Sequence, residues 1–301
     1  CDLNNDGYQD LYVGARGLGG KSLDYRSALG DDDIARRLHA AIQDRLFVNN
    51  RDGTFTEITD SAFGDDLNLR SAASIACADV DGDGWLDIYV GNLNTEDFFE
   101  FERPSIPGHY NVLYLNNGDL TFRDVAESAG VRGPEIFILD PQGRPLLFKD
   151  PETGREYQGY DPTLKDARGN PVGDPTGQTF AVLFFDYDDD GDPDLWLSND
   201  GDRLLVFRND STPGNVKFVQ VATEMGIDLV GDWMGFAVGD YDGDADLDLF
   251  ITNGGYHPLT RPPEEVPGRE CPYSGRFEWA TCAHFLLRNV GTREVPGLGT
   301  V

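Results

Sequence analysis

Four nine-residue acidic segments recur along the chain: DLNNDGYQD from Asp2, DVDGDGWLD from Asp79, DYDDDGDPD from Asp186 and DYDGDADLD from Asp240. Each places an oxygen-bearing side chain at positions 1, 3, 5 and 9 and a small residue at position 6. Each then runs into a short apolar stretch, LYVG, IYVG, LWLS or LFIT. Side chains at alternate positions of a tight loop converge on one point, and a hard cation such as Ca²⁺ takes roughly six to eight oxygens at about 2.3–2.6 Å. A solvated acidic turn is the bland alternative, because Asp and Gly favour turns for their own reasons. One copy would leave the two readings balanced. Four copies in one register favour metal ligation.

An EF-hand is excluded, since that loop needs a bidentate Glu at position 12 and flanking helices. Position 12 is here Val13, Val90, Leu197 and Ile251, all apolar and all in β-rich runs. The loop therefore closes at position 9, and the expected ligands are side chains 1, 3, 5 and 9 with the carbonyl of position 7. The first set is Asp2, Asn4, Asp6, the Tyr8 carbonyl and Asp10; the second is Asp79, Asp81, Asp83, the Trp85 carbonyl and Asp87. The third is Asp186, Asp188, Asp190, the Asp192 carbonyl and Asp194; the fourth is Asp240, Asp242, Asp244, the Asp246 carbonyl and Asp248. Up to four Ca²⁺ ions are expected. Ala245 stands where the other loops have Gly, and Ala disfavours the backbone angle that Gly permits, so the fourth loop is expected to differ in shape.

The formal net charge is −30, from 54 acids against 24 bases in 301 residues. Nucleic acid and anionic membrane both need clustered Lys and Arg, so neither is an expected partner. No apolar run approaches the roughly 18 residues of a membrane span. The balance suits a secreted, cell-surface or periplasmic protein in a calcium-rich compartment. Cys271 and Cys282 bracket a short loop in a proline-rich insertion, where a local disulfide is plausible. Cys77 reads as a small core residue. Cys1 is left open as a free thiol, a partner for a missing group or a modified terminus.

A second phrase follows each acidic loop: RLFVNNRDGTFTEIT from Arg45, VLYLNNGDLTFRDVA from Val112, LLVFRNDSTPGNVKFVQVA from Leu204, and HFLLRNVGT from His284. Each reads as a strand, an Asn/Gly/Asp turn and, in the first three, a second strand. Further β-like runs precede the later loops: SAASIACA at 71–78, TFAVLFF at 179–185 and WMGFAVG at 233–239. The unit is strand A, acidic loop, strand B, strand C, turn, strand D. Repetition of such a four-stranded antiparallel module predicts an all-β propeller. Blades fall at about 1–60, 71–126, 179–222 and 233–301, with insertions at 15–44, 92–110, 132–178 and 254–283. Ile34, Leu38 and Ile42 predict one short amphipathic helix in the first insertion. The third reads as a long loop with room for a small hairpin. The first blade lacks strand A and the fourth lacks a clear strand D, so the ring is expected to be open, completed by further blades or by a neighbouring subunit.

These paired phrases, above all GHYNVLYLNNGDLTFRDVAESAGV and WMGFAVGDYDGDADLDLFITNGG, resemble the FG-GAP/VCBS repeat superfamily of integrin α-like propellers. The nearest flavour is the group of the cartilage acidic proteins and ASPIC/UnbV repeats. The resemblance covers about half of the chain. It implies Ca²⁺ bound between strands A and B, and a seven-bladed parent.

His39, His109, His257 and His284 lie in separate segments, and no HExxH, GxSxG or CxxC pattern is present. The sequence is read as a non-catalytic, calcium-stabilised scaffold for adhesion, binding a protein or glycan through its insertions. Candidate contacts are Phe98, Phe99, Phe101, Tyr157, Tyr160, Tyr273, Phe277 and Trp279; packing of these aromatics onto the propeller is an equal alternative. The runner-up functions are an accessory propeller of a polysaccharide-active enzyme and a structural subunit of a larger extracellular assembly.

Overall fold

The computed structural model describes residues 1–15, 43–68, 70–93, 111–133, 147–149, 156–158, 160–165, 171–173, 178–227, 230–254, 284–291, 294–295 and 299–300. The chain divides into two compact units. One comprises Cys1–Asp79, Gly84–Glu127 and Val131–Thr176; the other comprises Val80–Asp83, Ser128–Gly130 and Gly177–Val301. The described residues are mostly antiparallel β-structure, as the alternation in the hairpin phrases requires.

In the first unit, β1 (Leu11–Val13), β2 (Arg45–Asn49) and β3 (Phe55–Glu57) form a three-stranded sheet in chain order. A four-stranded meander follows: β4 (Ala72–Ala78), β5 (Asp87–Asn92), β6 (Val112–Asn116) and β7 (Phe122–Asp124). Both β5 and β6 are buried at every residue, which explains why DIYVGN and VLYLN do not alternate in polarity. The third insertion holds two hairpins where the sequence suggested one: β8 (Leu147–Lys149) with β9 (Glu156–Gln158), and β10 (Tyr160–Lys165) with β11 (Pro171–Gly173).

Two helical turns go beyond the sequence reading, whose hairpin phrases end at their first residues, Thr59 and Ala126. These are α1 (Thr59–Phe63) and α2 (Ala126–Ala129). Each ends at a glycine with positive φ, Gly64 at 51° and Gly130 at 75°, an angle that reverses the chain where other residues would be strained. From α1, Phe63 reaches the core of the unit, 4.4 Å from Tyr114 and 5.3 Å from Phe122 between ring centroids. Leu3, Leu46, Ile88, Val90 and Val112 complete that core. Burying each such side chain stabilises the fold by roughly 1.5–3 kcal/mol.

The second unit contains β12 (Gln178–Phe184), β13 (Leu195–Arg203), β14 (Leu205–Asn209), β15 (Phe218–Gln220), the helical turn α3 (Ala222–Met225), β16 (Val230–Gly239), β17 (Asp248–Asn253) and β18 (Phe285–Leu287). A last pair, β19 (Glu294–Val295) and β20 (Gly299–Thr300), stands apart. The sequence predicts separate modules here, but the strands join into one sheet ordered β15-β14-β13-β16-β17-β18, with β12 also on β13. The join forms because β13 runs on to Arg203 and pairs with the start of β16, Asp200 opposite Asp232 and Arg203 opposite Val230. Backbone groups beyond the acidic loops thus satisfy one another. Tyr187, Trp196, Val206, Val221, Trp233, Leu249 and Ile251 form the core.

Cys1 and Cys77 are bonded to each other, with Cα atoms 6.5 Å apart. This corrects the reading of Cys77 as a core thiol and settles the open role of Cys1. The sequence argument weighed closeness along the chain, whereas the fold brings together the residues just ahead of two acidic loops. Cross-linking across a separation of 76 residues restricts the unfolded chain by about 4 kcal/mol in the loop-entropy picture. Cys271 and Cys282, the proposed helix at 34–42, and the candidate contacts Phe98, Phe99, Phe101, Tyr273, Phe277 and Trp279 lie outside the described residues. Tyr157 and Tyr160 fall in β9 and β10, with their side chains outside the description. No described helix is long and apolar enough to cross a membrane.

Asp44 is fully buried and accepts hydrogen bonds from the Tyr12 hydroxyl (2.8 Å), the Ala15 amide (2.6 Å) and the Asn68 side chain (2.7 Å). Burial nevertheless pushes its carboxyl up to about 6, against the downward pull of those donors and of Arg70. A raised carboxyl favours the folded state at low pH, and that contribution is lost as pH rises through the folded value. Relative to Asp44→Asn, the native protein should lose about 2 kcal/mol of unfolding free energy between pH 4 and pH 7, at about 1.4 kcal/mol per unit of developed shift. Urea melts of the two proteins across that range check it; parallel curves would refute it.

Candidate metal centre

Each acidic loop is built the same way. Position 1 accepts backbone N–H groups from the far side of the loop: Gly7 to Asp2 at 2.8 Å, Gly84 to Asp79 at 2.8 Å, Gly191 to Asp186 at 3.0 Å and Ala245 to Asp240 at 3.1 Å. Closing so tight a ring needs positive φ at positions 4 and 6. Those angles are 53° and 85° at Asn5 and Gly7, 72° and 91° at Gly82 and Gly84, 57° and 96° at Asp189 and Gly191, and 80° and 78° at Gly243 and Ala245. The fourth loop therefore keeps the common shape, contrary to the expectation from Ala245. Its hydrogen bonds hold Ala245 in a conformation that costs an L-residue roughly 1–2 kcal/mol.

Position 9 is the keystone. Asp10, Asp87, Asp194 and Asp248 are all buried, at 5%, 1%, 0% and 2% exposure. One oxygen of Asp10, Asp194 and Asp248 accepts the N–H of position 2 (Leu3 2.9 Å, Tyr187 3.0 Å, Tyr241 3.0 Å). In all four loops the other oxygen accepts the N–H of an asparagine ending the next-but-one strand: Asn49 (2.9 Å), Asn116, Asn209 and Asn289 (2.8 Å each). The side-chain amides of these asparagines then bind loop carbonyls. Asn116 donates to Leu86 and Leu3, Asn209 to Pro193 and Val80, Asn289 to Tyr187 and Asn49 to Gln9. The sequence reading took these asparagines only as turn residues. Their recurrence in VNN, LNN, RND and RNV was the available clue.

Three loops bring carboxylate oxygens within 4.8 Å of one another: Asp79, Asp81 and Asp87; Asp186, Asp188 and Asp194; Asp240, Asp242 and Asp248. These are positions 1, 3 and 9. Position 5 is not among them; Asp6, Asp190 and Asp244 instead accept the N–H of position 7 at 2.8, 2.9 and 3.1 Å, from Tyr8, Asp192 and Asp246. At position 3, Asp81 is 3% exposed and Asp188 half-buried, yet Oδ1 of each is buried without a hydrogen-bond partner among the described residues. The other Asp81 oxygen accepts the Gly214 amide at 2.8 Å. Left to protein groups alone, burial pushes Asp194 up to about 8 against its two backbone donors, with added repulsion from Asp188 and Asp190. Burial, then the Asp190 and Asp186 charges, lift Asp188 to about 6.

The first loop differs. Asn4 replaces the third carboxylate, and Arg51 pairs with Asp6 at 2.9 Å while lying over the Tyr8 ring at 5.5 Å from its centroid. Slight burial raises the Asp6 carboxyl, but the Tyr8 N–H and Arg51 outweigh it and hold the group below its usual value. A guanidinium here already supplies part of the positive charge.

With this repeated geometry established, the family model for FG-GAP-like repeats matches residues 2–90 and 186–251, spans that contain all four loops. The chain belongs to the FG-GAP-like repeat family. FG-GAP-like repeats imply a propeller-type fold, consistent with the antiparallel sheets. Among curated proteins, this FG-GAP-like chain is similar to cartilage acidic protein 1 of Homo sapiens, 26% identical over 274 residues. The proteins of that name from Mus musculus and Xenopus tropicalis are 24% and 27% identical over 280 and 272 residues. Each alignment covers 85% of this chain and 38% of the relative, so the chain spans well under half the length of the curated relatives it matches.

Four substitutions test the loop architecture. Ala245→Gly should stabilise the protein by about 1 kcal/mol, and Gly191→Ala should cost about as much, because each changes strain at the same loop position. Asn209→Ala should cost about 2–3 kcal/mol by leaving buried carbonyls unsatisfied, whereas the exposed Asn50→Ala should cost under about 1 kcal/mol. Chemical denaturation measures all four, and equal losses for the two asparagines would count against the clamp.

Proposed function

We propose that the chain is a non-catalytic, calcium-stabilised extracellular scaffold whose acidic loops each take one Ca²⁺. The observation that carries this reading is the buried Oδ1 of Asp81 and of Asp188, each without a hydrogen-bond partner among the described residues and each in a carboxylate trio within 4.8 Å. An unpaired carboxylate oxygen in a buried site is costly unless a cation meets it. An all-oxygen donor set in a small flexible loop suits a hard cation, and Ca²⁺ tolerates the irregular geometry that Mg²⁺ does not. Asp79, Asp81 and Asp87, Asp186, Asp188 and Asp194, and Asp240, Asp242 and Asp248 would supply the first ligands. Asp83, Asp190 and Asp244, with the carbonyls of Trp85, Asp192 and Asp246, would complete the shells. The first loop, with Asp2, Asn4, Asp6, the Tyr8 carbonyl and Asp10, would bind most weakly.

The ion's role in this reading is structural. It offsets the mutual repulsion of carboxylates that the fold has already buried, and so fixes the A–B hairpin of each blade. The rigid blades would then present the insertions to a protein or glycan partner. The similarity to cartilage acidic protein 1 supports a secreted or cell-surface setting, as does the Cys1–Cys77 disulfide. The net charge of −30 supports partners other than nucleic acid. His284 fits a structural role, since its Nδ1 accepts the Asn253 amide at 2.9 Å, much as Asn111 accepts that of Asn92.

Free calcium at ten times a site's dissociation constant stabilises by about 1.4 kcal/mol per site. Chelation should therefore lower Tm by several degrees, and Ca²⁺ should restore it more effectively than Mg²⁺. A melt unchanged by chelator would overturn the proposal.

A further inference from the structure

The position-2 residue of each acidic loop lies between two of that loop's proposed ligands, positions 1 and 3. In the third loop it is Tyr187, a buried residue between Asp186 and Asp188. Tyr187 donates its N–H to Asp194 of its own loop at 3.0 Å. Its carbonyl accepts the side-chain amide of Asn289 at 3.2 Å, across a separation of 102 residues. Asn289 also donates its backbone N–H to Asp248 of the fourth loop at 2.8 Å. A continuous path therefore joins the position-9 carboxylates of the third and fourth loops, from Asp248 through Asn289 and Tyr187 to Asp194.

The first unit repeats the wiring. Asn116 donates its N–H to Asp87 at 2.8 Å and its side-chain amide to the Leu3 carbonyl at 2.9 Å. Leu3, between Asp2 and Asn4, donates to Asp10 at 2.9 Å. The same bonds in the same order make the path a property of the repeat rather than a local accident. Two effects act between neighbouring loops. Through space, a cation in one loop weakens the pull on the next, and water and salt screen that effect. Along the path, a cation that fixes Asp248 also fixes Asn289, which then holds Tyr187 and the ligands on either side of it. Less ordering entropy opposes the next ion, and screening does not touch this contribution. We propose that the clamp asparagines couple neighbouring calcium sites, so that filling the fourth loop raises the affinity of the third through Asn289 and Tyr187. This inference rests on the reading that the loops take Ca²⁺.

The amides of Tyr187 and Gly191, donated to Asp194 and Asp186, report on the third loop. The calcium concentration that half-protects them from hydrogen exchange measures its affinity. Asp242→Asn, which disables the fourth loop, should raise that concentration about fivefold or more, as a coupling of ordinary size requires. Asn289→Ala keeps the N–H that Asp248 accepts and removes the side-chain bridge. Adding Asp242→Asn to it should therefore shift the concentration no further. An unchanged or lower concentration on Asp242→Asn alone would overturn the coupling while leaving calcium binding in place. Equal shifts with and without the Asn289 side chain would overturn it too, by assigning the coupling to another route. No calcium-dependent protection in any of the proteins would overturn the calcium reading and the coupling together. The Asp242→Asn comparison leaves Asn289 intact, so its outcome decides whether or not the alanine variant folds.

Discussion

A buried carboxylate that accepts one N–H from its own loop and one from a neighbouring strand organises this protein. Asp10, Asp194 and Asp248 each make both bonds, and Asp87 accepts the Asn116 amide in the same way. A buried negative charge is tolerated only where donors surround it, so this contact ties loop closure to strand pairing. The third hairpin strand cannot leave without exposing an unsatisfied charge. The side-chain amide of the same asparagine then reaches the preceding loop, as Asn116 does at Leu3 and Asn209 at Val80. Successive loops are thus linked by short polar bridges rather than by the apolar core alone.

The acidic loops then follow from electrostatics. Once position 9 is committed to backbone donors, positions 1 and 3 bring further negative charge within 4.8 Å. Backbone N–H groups satisfy position 1, but Asp81 and Asp188 each retain a buried oxygen that no described group meets. Arg51 supplies a cation to Asp6 in the first loop, and Arg288 lies 3.3 Å from Asp242 in the fourth. The middle loops show the unmet oxygens, and an external cation resolves them most simply.

Much of this was legible in the sequence. Alternating carboxylates at Asp79 and Asp81, with Asp87, announced a convergence that the structure shows, although Asp83, which the sequence placed in the same set, is not in that trio; apolar residues at position 12 ruled out a helical continuation. The strand order within the second module followed from its hairpin phrase. Other features were illegible for physical reasons. The Cys1–Cys77 bond depends on contacts between segments far apart in sequence. The helical turns at Thr59–Phe63 and Ala222–Met225 are too short for periodicity to register. Ala245 was read from propensity, and the hydrogen bond from its own N–H to Asp240 overrode that preference. Asn209 looked like a turn residue because nothing local shows what its amide will reach.

The number of calcium ions bound per chain, counted by equilibrium dialysis at millimolar free calcium, tests the central claim most directly. Native protein should bind up to four ions, the weakest at the first loop. Asp81→Asn, Asp188→Asn and Asp242→Asn should each bind one fewer, because each removes a charge from a single trio. No bound calcium, or the same number in all four proteins, would contradict the assignment of these loops as cation sites.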